Sequence, residues 1–227
     1  MRVLLGRHFY NQGKLEQAES LYQEALRILP RYPLALINLA TIQTRRGQYA
    51  EADRTYDQIT AYSQQSTNIY DHTVLRGKAR LKQLQNQPYD DLLQKAEVLL
   101  RQGTNAGHAT GAFGHRRELA QLLLDRRQNN DSAEALATMQ EEIKVRQDSQ
   151  TYSVLARAFV ANDRISEAQK AIQRSLNSGI QNAGMFKQAS DIEQQLGNAE
   201  QSKIYKTKSQ NINPDFERGL QSSPIDF

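Results

Sequence analysis

The sequence predicts an all-α protein, a solenoid of about six helix-turn-helix hairpins, and three observations predict it. Residues recur at a fixed step of 34: Gly13 returns as Gly47, Ala18 as Ala52, and Tyr22 as Tyr56. Each of these units holds two segments with the apolar spacing of a helix, joined at a glycine that tolerates a left-handed turn. Near the C-terminus, Gly197 and Pro214 stand 17 residues apart, the same separation as Gly13 and Pro30.

The elements follow in order. Val3 to Asn11 and Leu15 to Leu29 make the first hairpin, and Leu34 to Arg45 and Tyr49 to Tyr62 the second. Small Ala18 and Ala52 let two helices approach closely, while the larger residues one turn later fill the space beside them. From Ala52 to Ala168 is 116 residues, 14 more than three periods, so the middle must hold two hairpins with longer helices or connections. Helices are expected there at about Ile69 to Gln85, Tyr89 to Arg101, Ala109 to Arg127 and Ser132 to Val145. The repeat then resumes with Tyr152, Leu155, Ala156, Phe159, Ala168 and Ile172, and Asp163 stands where the turn glycine would be. The last unit keeps the step from Asp163 to Gly197 and from Tyr152 to Phe186. Its Glu193 and Lys206 occupy usually apolar places, as the polar outer face of a terminal repeat would require.

The residues Gly6, Phe9, Gly13, Ala18, Tyr22, Ala25 and Pro30, followed by Leu36, Leu39, Ala40, Gly47, Ala52, Tyr56 and Ile59, form a pattern that resembles the tetratricopeptide repeat. The resemblance implies one right-handed superhelix over 1–214. Its clear repeats would fall at 1–32, 33–66, 149–182 and 183–214, with irregular hairpins at 67–148 and a tail at 215–227. It also implies a non-enzymatic scaffold whose first helices line a concave groove for a peptide or protein segment. The groove residues would be Val3, Arg7, Tyr10 and Asn11 in the first unit, and Leu34, Ile37, Asn38, Thr41, Thr44 and Arg45 in the second. Arginine can fork onto carboxylates, asparagine can bond a peptide backbone in both directions, and Val3, Leu34 and Ile37 would offer apolar area. Some members of this family clamp the acidic tail of heat-shock chaperones with Lys, Asn and Arg. Of that set only Asn38 stands in place, with Val3 and Arg7 where the first Lys and Asn would lie, which argues for a different partner.

Composition narrows the function classes further. Of 227 residues, 38% are hydrophobic and 24% charged, and no apolar run approaches the roughly 20 residues that span a bilayer. Arg7 and His8 interrupt any signal-peptide core, so a soluble chain is expected and the cytoplasm is favoured. Zero Cys excludes disulfides and thiolate chemistry. A net charge of +4 hints at an acidic partner without requiring one.

Candidate chemistry is sparse. His8, His72, His108 and His115 are scattered and lack carboxylates in helical register, so no metal or cofactor is expected. Asp90 with Asp91, and Glu141 with Glu142, read as solvated helix faces because adjacent helical residues point about 100° apart. No nucleophile elbow, phosphate loop or dinucleotide fingerprint occurs. The glycine-rich run from Gly103 to Arg117 reads as a long inter-hairpin loop, or as a helix whose Gly107, Gly111 and Gly114 permit tight packing; the functional alternative is an anion loop assisted by Arg116 and Arg117. Two rival functions remain: a nucleic-acid binder using "RGKARLK" from Arg76 to Lys82, which lacks interleaved aromatics for stacking, and a regulatory subunit of an enzyme complex.

Overall fold

The computed structural model describes residues 1–63, 69–110 and 115–216 of the chain. Among them are twelve helices and no strand: α1 (Arg2–Asn11), α2 (Leu15–Ile28), α3 (Pro33–Arg45), α4 (Tyr49–Ser63), α5 (Asp71–Leu84), α6 (Asp90–Thr110), α7 (Arg116–Arg126), α8 (Asp131–Glu142), α9 (Ser149–Val160), α10 (Ile165–Leu176), α11 (Ala183–Gln195) and α12 (Ala199–Ile212). The all-α repeat predicted from the 34-residue step is the fold observed.

Local chemistry sets the helix ends. At the α1–α2 turn Gly13 takes φ +75°, Gly13 N–H donates to Tyr10 O at 2.9 Å, and Lys14 N–H donates to Phe9 O at 3.0 Å. This pair of bonds satisfies carbonyls that the end of a helix leaves without partners. The same two-bond closure ends α3, α5, α9 and α11, at Gly47, Asn86, Asp163 and Gly197. Asp163 therefore does the work of the turn glycine, at φ +57°, as its place in the repeat predicts. Asn86 and Arg127 also adopt positive φ, and nothing in the repeat signals them. Starts are set as locally as ends. Pro33 opens α3, where its missing N–H costs nothing, and Asp148 caps α9 by accepting from Thr151 N–H at 2.7 Å.

The chain divides into two compact units, Met1–Leu99 together with the chain from Asn213 onward, and Leu100–Ile212, so the boundary falls inside α6. In the first unit α1 packs on α2, α3 on α4, and successive hairpins meet through α2 with α3 and α4 with α5. One apolar cluster holds Val3, Ala18, Tyr22, Ala25, Ala35 and Ile42. A second holds Leu36, Ile37, Ala40, Ala52, Tyr56, Ile59, Val74 and Leu81. Glycine on one helix makes room for an aromatic on another: a Cβ at Gly77 would lie 2.4 Å from Tyr56 Cζ.

In the second unit α7 packs on α8, α9 on α10, and α11 on α12. Leu122, Leu123, Met139, Ala168, Ile172 and Ile192 are fully enclosed there. Two reciprocal serine pairs join the two helices of a hairpin, one between α9 and α10 and one between α11 and α12. Ser149 Oγ donates to Ser175 O at 2.9 Å while Ser175 Oγ donates to Ser149 O at 2.8 Å, and Ser190 and Ser202 exchange the same bonds at 2.9 Å each. A hydroxyl paired in this way offsets its own desolvation and keeps the side chain small.

Three sequence expectations need correction. Helix α6 runs to Thr110 rather than ending near Arg101, and α7 begins at Arg116 rather than Ala109, so the first half of the glycine-rich run is helix; 111–114 lie outside the described residues. Glu193 is no outer-face residue: it is 2% exposed and accepts from Gln169 Nε2 at 3.0 Å and Asn198 Nδ2 at 2.7 Å. Glu142, read as part of a solvated face, is 0% exposed. A charge reaches such places when donors on other elements come with it.

Candidate functional site

Two helices of the first unit, α1 and α3, lie side by side and carry the residues predicted to face a ligand. The structure sorts those residues into two groups. Val3 and Ile37 belong to the apolar clusters and are 5% and 1% exposed, so their side chains are spent on packing. Asn38 donates Nδ2 to Leu34 O at 2.5 Å, Thr41 donates Oγ1 to Ile37 O at 2.9 Å, and Thr44 donates Oγ1 to Ala40 O at 2.8 Å. Their polar atoms are turned back onto their own helix, a local bond that Ser, Thr and Asn make readily. Neighbouring elements bury them: the Tyr56 ring, itself enclosed, shares a hydrogen bond with Thr41, and burial pushes its phenol well above its ordinary value.

Arg7, Tyr10, Asn11, Leu34 and Arg45 form the second group, half-buried or exposed. The Arg45 guanidinium lies over the Tyr10 ring at 5.6 Å from its centroid, within the range of cation–π attraction. Tyr22 sits beneath this face. Burial pushes its phenol well above its ordinary value, and the positive charge of nearby Arg7 offsets part of that shift.

A segment that the sequence had not placed there meets the same residues. Asn213, 2% exposed, donates Nδ2 to Asn11 O at 3.4 Å, and Arg45 donates Nη2 to Asp215 O at 3.3 Å. The signal for it in the sequence is the dipeptide Asn213-Pro214, a turn former, of which Pro214 also marks the end of the last repeat.

The second unit holds a different cluster. Arg146 Nε donates to Glu142 Oε1 at 2.6 Å, and Arg116 Nη1 lies 3.6 Å from Glu142 Oε2. Arg117 spans Glu118 at 3.2 Å and Asp148 at 3.3 Å. Burial would raise the Glu118 carboxyl, but Arg117, its own helix-start backbone, Arg146 and His115 hold it below the usual range. Arg116 and Arg117 are thus committed to carboxylates of α7, α8 and the α9 cap, and the arrangement is a brace with no nucleophile in it.

The basic run is similarly engaged. Arg76 is 6% exposed, and Lys78 lies 3.1 Å from Asp53 and 2.5 Å from Asp57 on α4. Of the histidines, His72 shares a 3.3 Å hydrogen bond with Thr73, His8 pairs with Gln12 at 3.0 Å, and His115 lies against Gly103. The side chain of His108 lies outside the described residues. Among the described residues no three His, Asp or Glu side chains are grouped to hold a metal ion, and no helix is long and apolar enough to cross a membrane.

Comparison with known proteins bears on the fold. A tetratricopeptide repeat family model matches residues 9–71. A comparison with curated proteins finds no match. Among solved structures, a tetratricopeptide repeat protein from Parabacteroides merdae ATCC 43184 aligns with 97% of this chain and 80% of its own, at 17% identity and a TM-score of 0.60. PilW, a widely conserved type IV pilus biogenesis factor, aligns at 14% identity and a TM-score of 0.53 over 97% of this chain and 95% of its own. The APC/C hetero-tetramer Cut9–Hcn1 gives the same identity and TM-score, with 96% of this chain set against 42% of the other. At such identities the likeness is one of fold.

Proposed function

We propose that the α1–α3 face of this chain, which has a tetratricopeptide-repeat fold suited to protein–protein interaction and matches that family's model over residues 9–71, binds a peptide or protein segment, and that the chain acts as a scaffold without catalysis of its own. The observation that carries this is the convergence of Tyr10 and Arg45, from helices 35 residues apart in the chain, at 5.6 Å, with Tyr10 and Leu34 packed against the first apolar cluster yet only partly buried. Arg7, Tyr10, Asn11, Leu34 and Arg45 form the working surface. Val3, Ile37, Asn38, Thr41 and Thr44 form the floor that holds it rigid. Guanidinium groups recognise backbone carbonyls and carboxylates, Tyr10 offers a ring edge, and Leu34 supplies apolar contact.

The test is selection of peptides from a displayed random library on the wild-type chain, followed by affinity measurement on three variants. Arg7→Ala and Arg45→Ala should each weaken the selected peptides about 10- to 150-fold, the loss of charge-assisted hydrogen bonds worth about 1.5–3 kcal/mol. Arg54→Ala, on the exposed side of α4, should leave binding unchanged. Peptides that ignore both groove variants and depend on Arg54 would place the site elsewhere.

A further inference from the structure

We infer that the α1–α3 face is a seat for an Asn-Pro turn, and that residues Asn213–Phe216 of this same chain are its resident occupant, masking the site in cis. The inference rests on the proposed peptide-binding face and names both the shape of its ligand and a regulator of it.

The occupant is a turn closed by its own hydrogen bonds. Asn213 O accepts from Phe216 N–H at 3.1 Å and Asn213 Oδ1 accepts from Asp215 N–H at 3.2 Å, so the four residues close a tight turn with asparagine first and proline second. That order is the favoured one for such turns, because proline fixes the second residue's φ and asparagine bonds the backbone two residues on. A segment already turned loses little conformational freedom on docking.

The seat is shaped for it. Gly13 sits at φ +75°, and a Cβ there would stand 2.5 Å from Asn213 Oδ1. Gly47, Gly179 and Gly197 share the left-handed backbone at φ +75° to +79°, yet a Cβ on any of them would meet nothing within 4 Å. Gly13 alone of these four glycines serves a contact as well as a turn. Asn11 supplies a carbonyl to Asn213 Nδ2, and Arg45, braced on Tyr10, supplies a donor to the Asp215 carbonyl. These hydrogen bonds run through the asparagine side chain and the turn backbone, so a protein presenting an exposed Asn-Pro turn carries the same groups.

An occupant tethered in cis acts at an effective concentration on the order of millimolar, and a partner's apparent affinity falls by the fraction of time the seat is open. The chain would then answer to partners that present the turn at high local concentration or in several copies.

The test uses the full chain. It contains no tryptophan, so Phe216→Trp introduces a single reporter at a half-buried position. Its emission should be blue-shifted and move red, saturably, on adding the capped peptide Asn-Ile-Asn-Pro-Asp-Phe, the sequence of residues 211–216. The same peptide with Asn213→Ala should need at least ten times the concentration. In the reporter chain, Gly13→Ala should shift emission red without peptide, whereas Gly47→Ala, equally strained but facing open space, should not. Independently, the dye-labelled peptide should bind the full-length Asn213→Ala chain at least tenfold more tightly than wild type, with circular dichroism confirming an unchanged fold. Emission that ignores the peptide and both glycine variants, together with equal peptide affinity for wild type and Asn213→Ala, overturns the inference. If library peptides still depend on Arg7 and Arg45 in that event, the binding face stands and only its cis occupant falls; if they do not, the binding face falls as well.

Discussion

A Cβ on Gly6 would stand 2.4 Å from Cε1 of Tyr22, so the ring of the second helix lies directly on the backbone of the first. The Tyr56 ring of α4 meets a glycine too, but across hairpins, at Gly77 of α5. Gly6→Ala should therefore lower stability by up to about 2 kcal/mol, because ~1–3 kcal/mol of overpacking is offset by the ~1 kcal/mol that alanine gains inside a helix. Urea unfolding checks it. A variant more stable than wild type would mean that the ring does not rest on this backbone.

Ala52 is fully enclosed beside Tyr56 and Ile59 in the second hairpin. Ala52→Leu should cost about 1–3 kcal/mol, while Glu51→Ala next to it, exposed and paired only with Arg54 on the surface, should stay within about 0.5 kcal/mol. Equal thermal shifts for the two would contradict the packing register.

Glu142 is buried against Arg116 and Arg146, whose side chains keep 13% and 19% of their exposure. Glu142→Leu should destabilise by about 3 kcal/mol, since two largely desolvated cations lose the charge they face. Lys144→Ala should be nearly silent: its ion pair with Glu141 is more than half exposed on both sides, and such pairs contribute about 0–1 kcal/mol. Parallel urea titrations of the two variants give the comparison.

Acid should weaken the second unit. The Asp131 carboxyl is held low by its hydrogen bonds from Arg126, and that of Asp148 by Thr151 and Arg117 against the opposing effect of burial; Glu118 is held low in the same way. Depressed folded values mean that the unfolded chain takes up protons first. The stabilisation is fully present above about pH 5 and is lost as pH falls through the unfolded carboxylate range near 4 and on to the lower folded values. Thermal midpoints measured from pH 7 to pH 3 should fall, and Arg126→Met should flatten the fall; a midpoint independent of pH would remove these pairs from the stability balance.

Lys78 clamped between Asp53 and Asp57, and Arg76 buried, leave the basic run of α5 poorly placed for phosphates. Short single-stranded DNA should show no micromolar binding at about 0.15 M salt. Binding at that level that falls steeply with salt, and is lost on charge reversal of Arg76 and Arg80, would restore the nucleic-acid reading.

The sequence by itself determined the repeat. Its 34-residue step located α1 to α4 and α9 to α12, the enclosed alanines at Ala18, Ala52 and Ala168, and the glycine-like turn at Asp163. These are readable because each unit buries its face against the next in sequence, so the same spacing must recur wherever the same contact does. Where the step broke, between Thr67 and Gln147, the helices were legible from periodicity but their ends were not. Positive φ at Asn86 and Arg127 depends on turn geometry that no period marks.

Only the tertiary structure decided which polar residues were available. Glu142 and Glu193 look like any solvated glutamates until donors from other elements enclose them, and Val3 and Ile37 look like groove residues until the next helix covers them. Arg45 and Asp215 are 170 residues apart, and Asn11 and Asn213 are 202. A local pattern records what a residue meets one turn or one repeat away. Contacts at such separations obey no period, because they are fixed by where the folded chain returns.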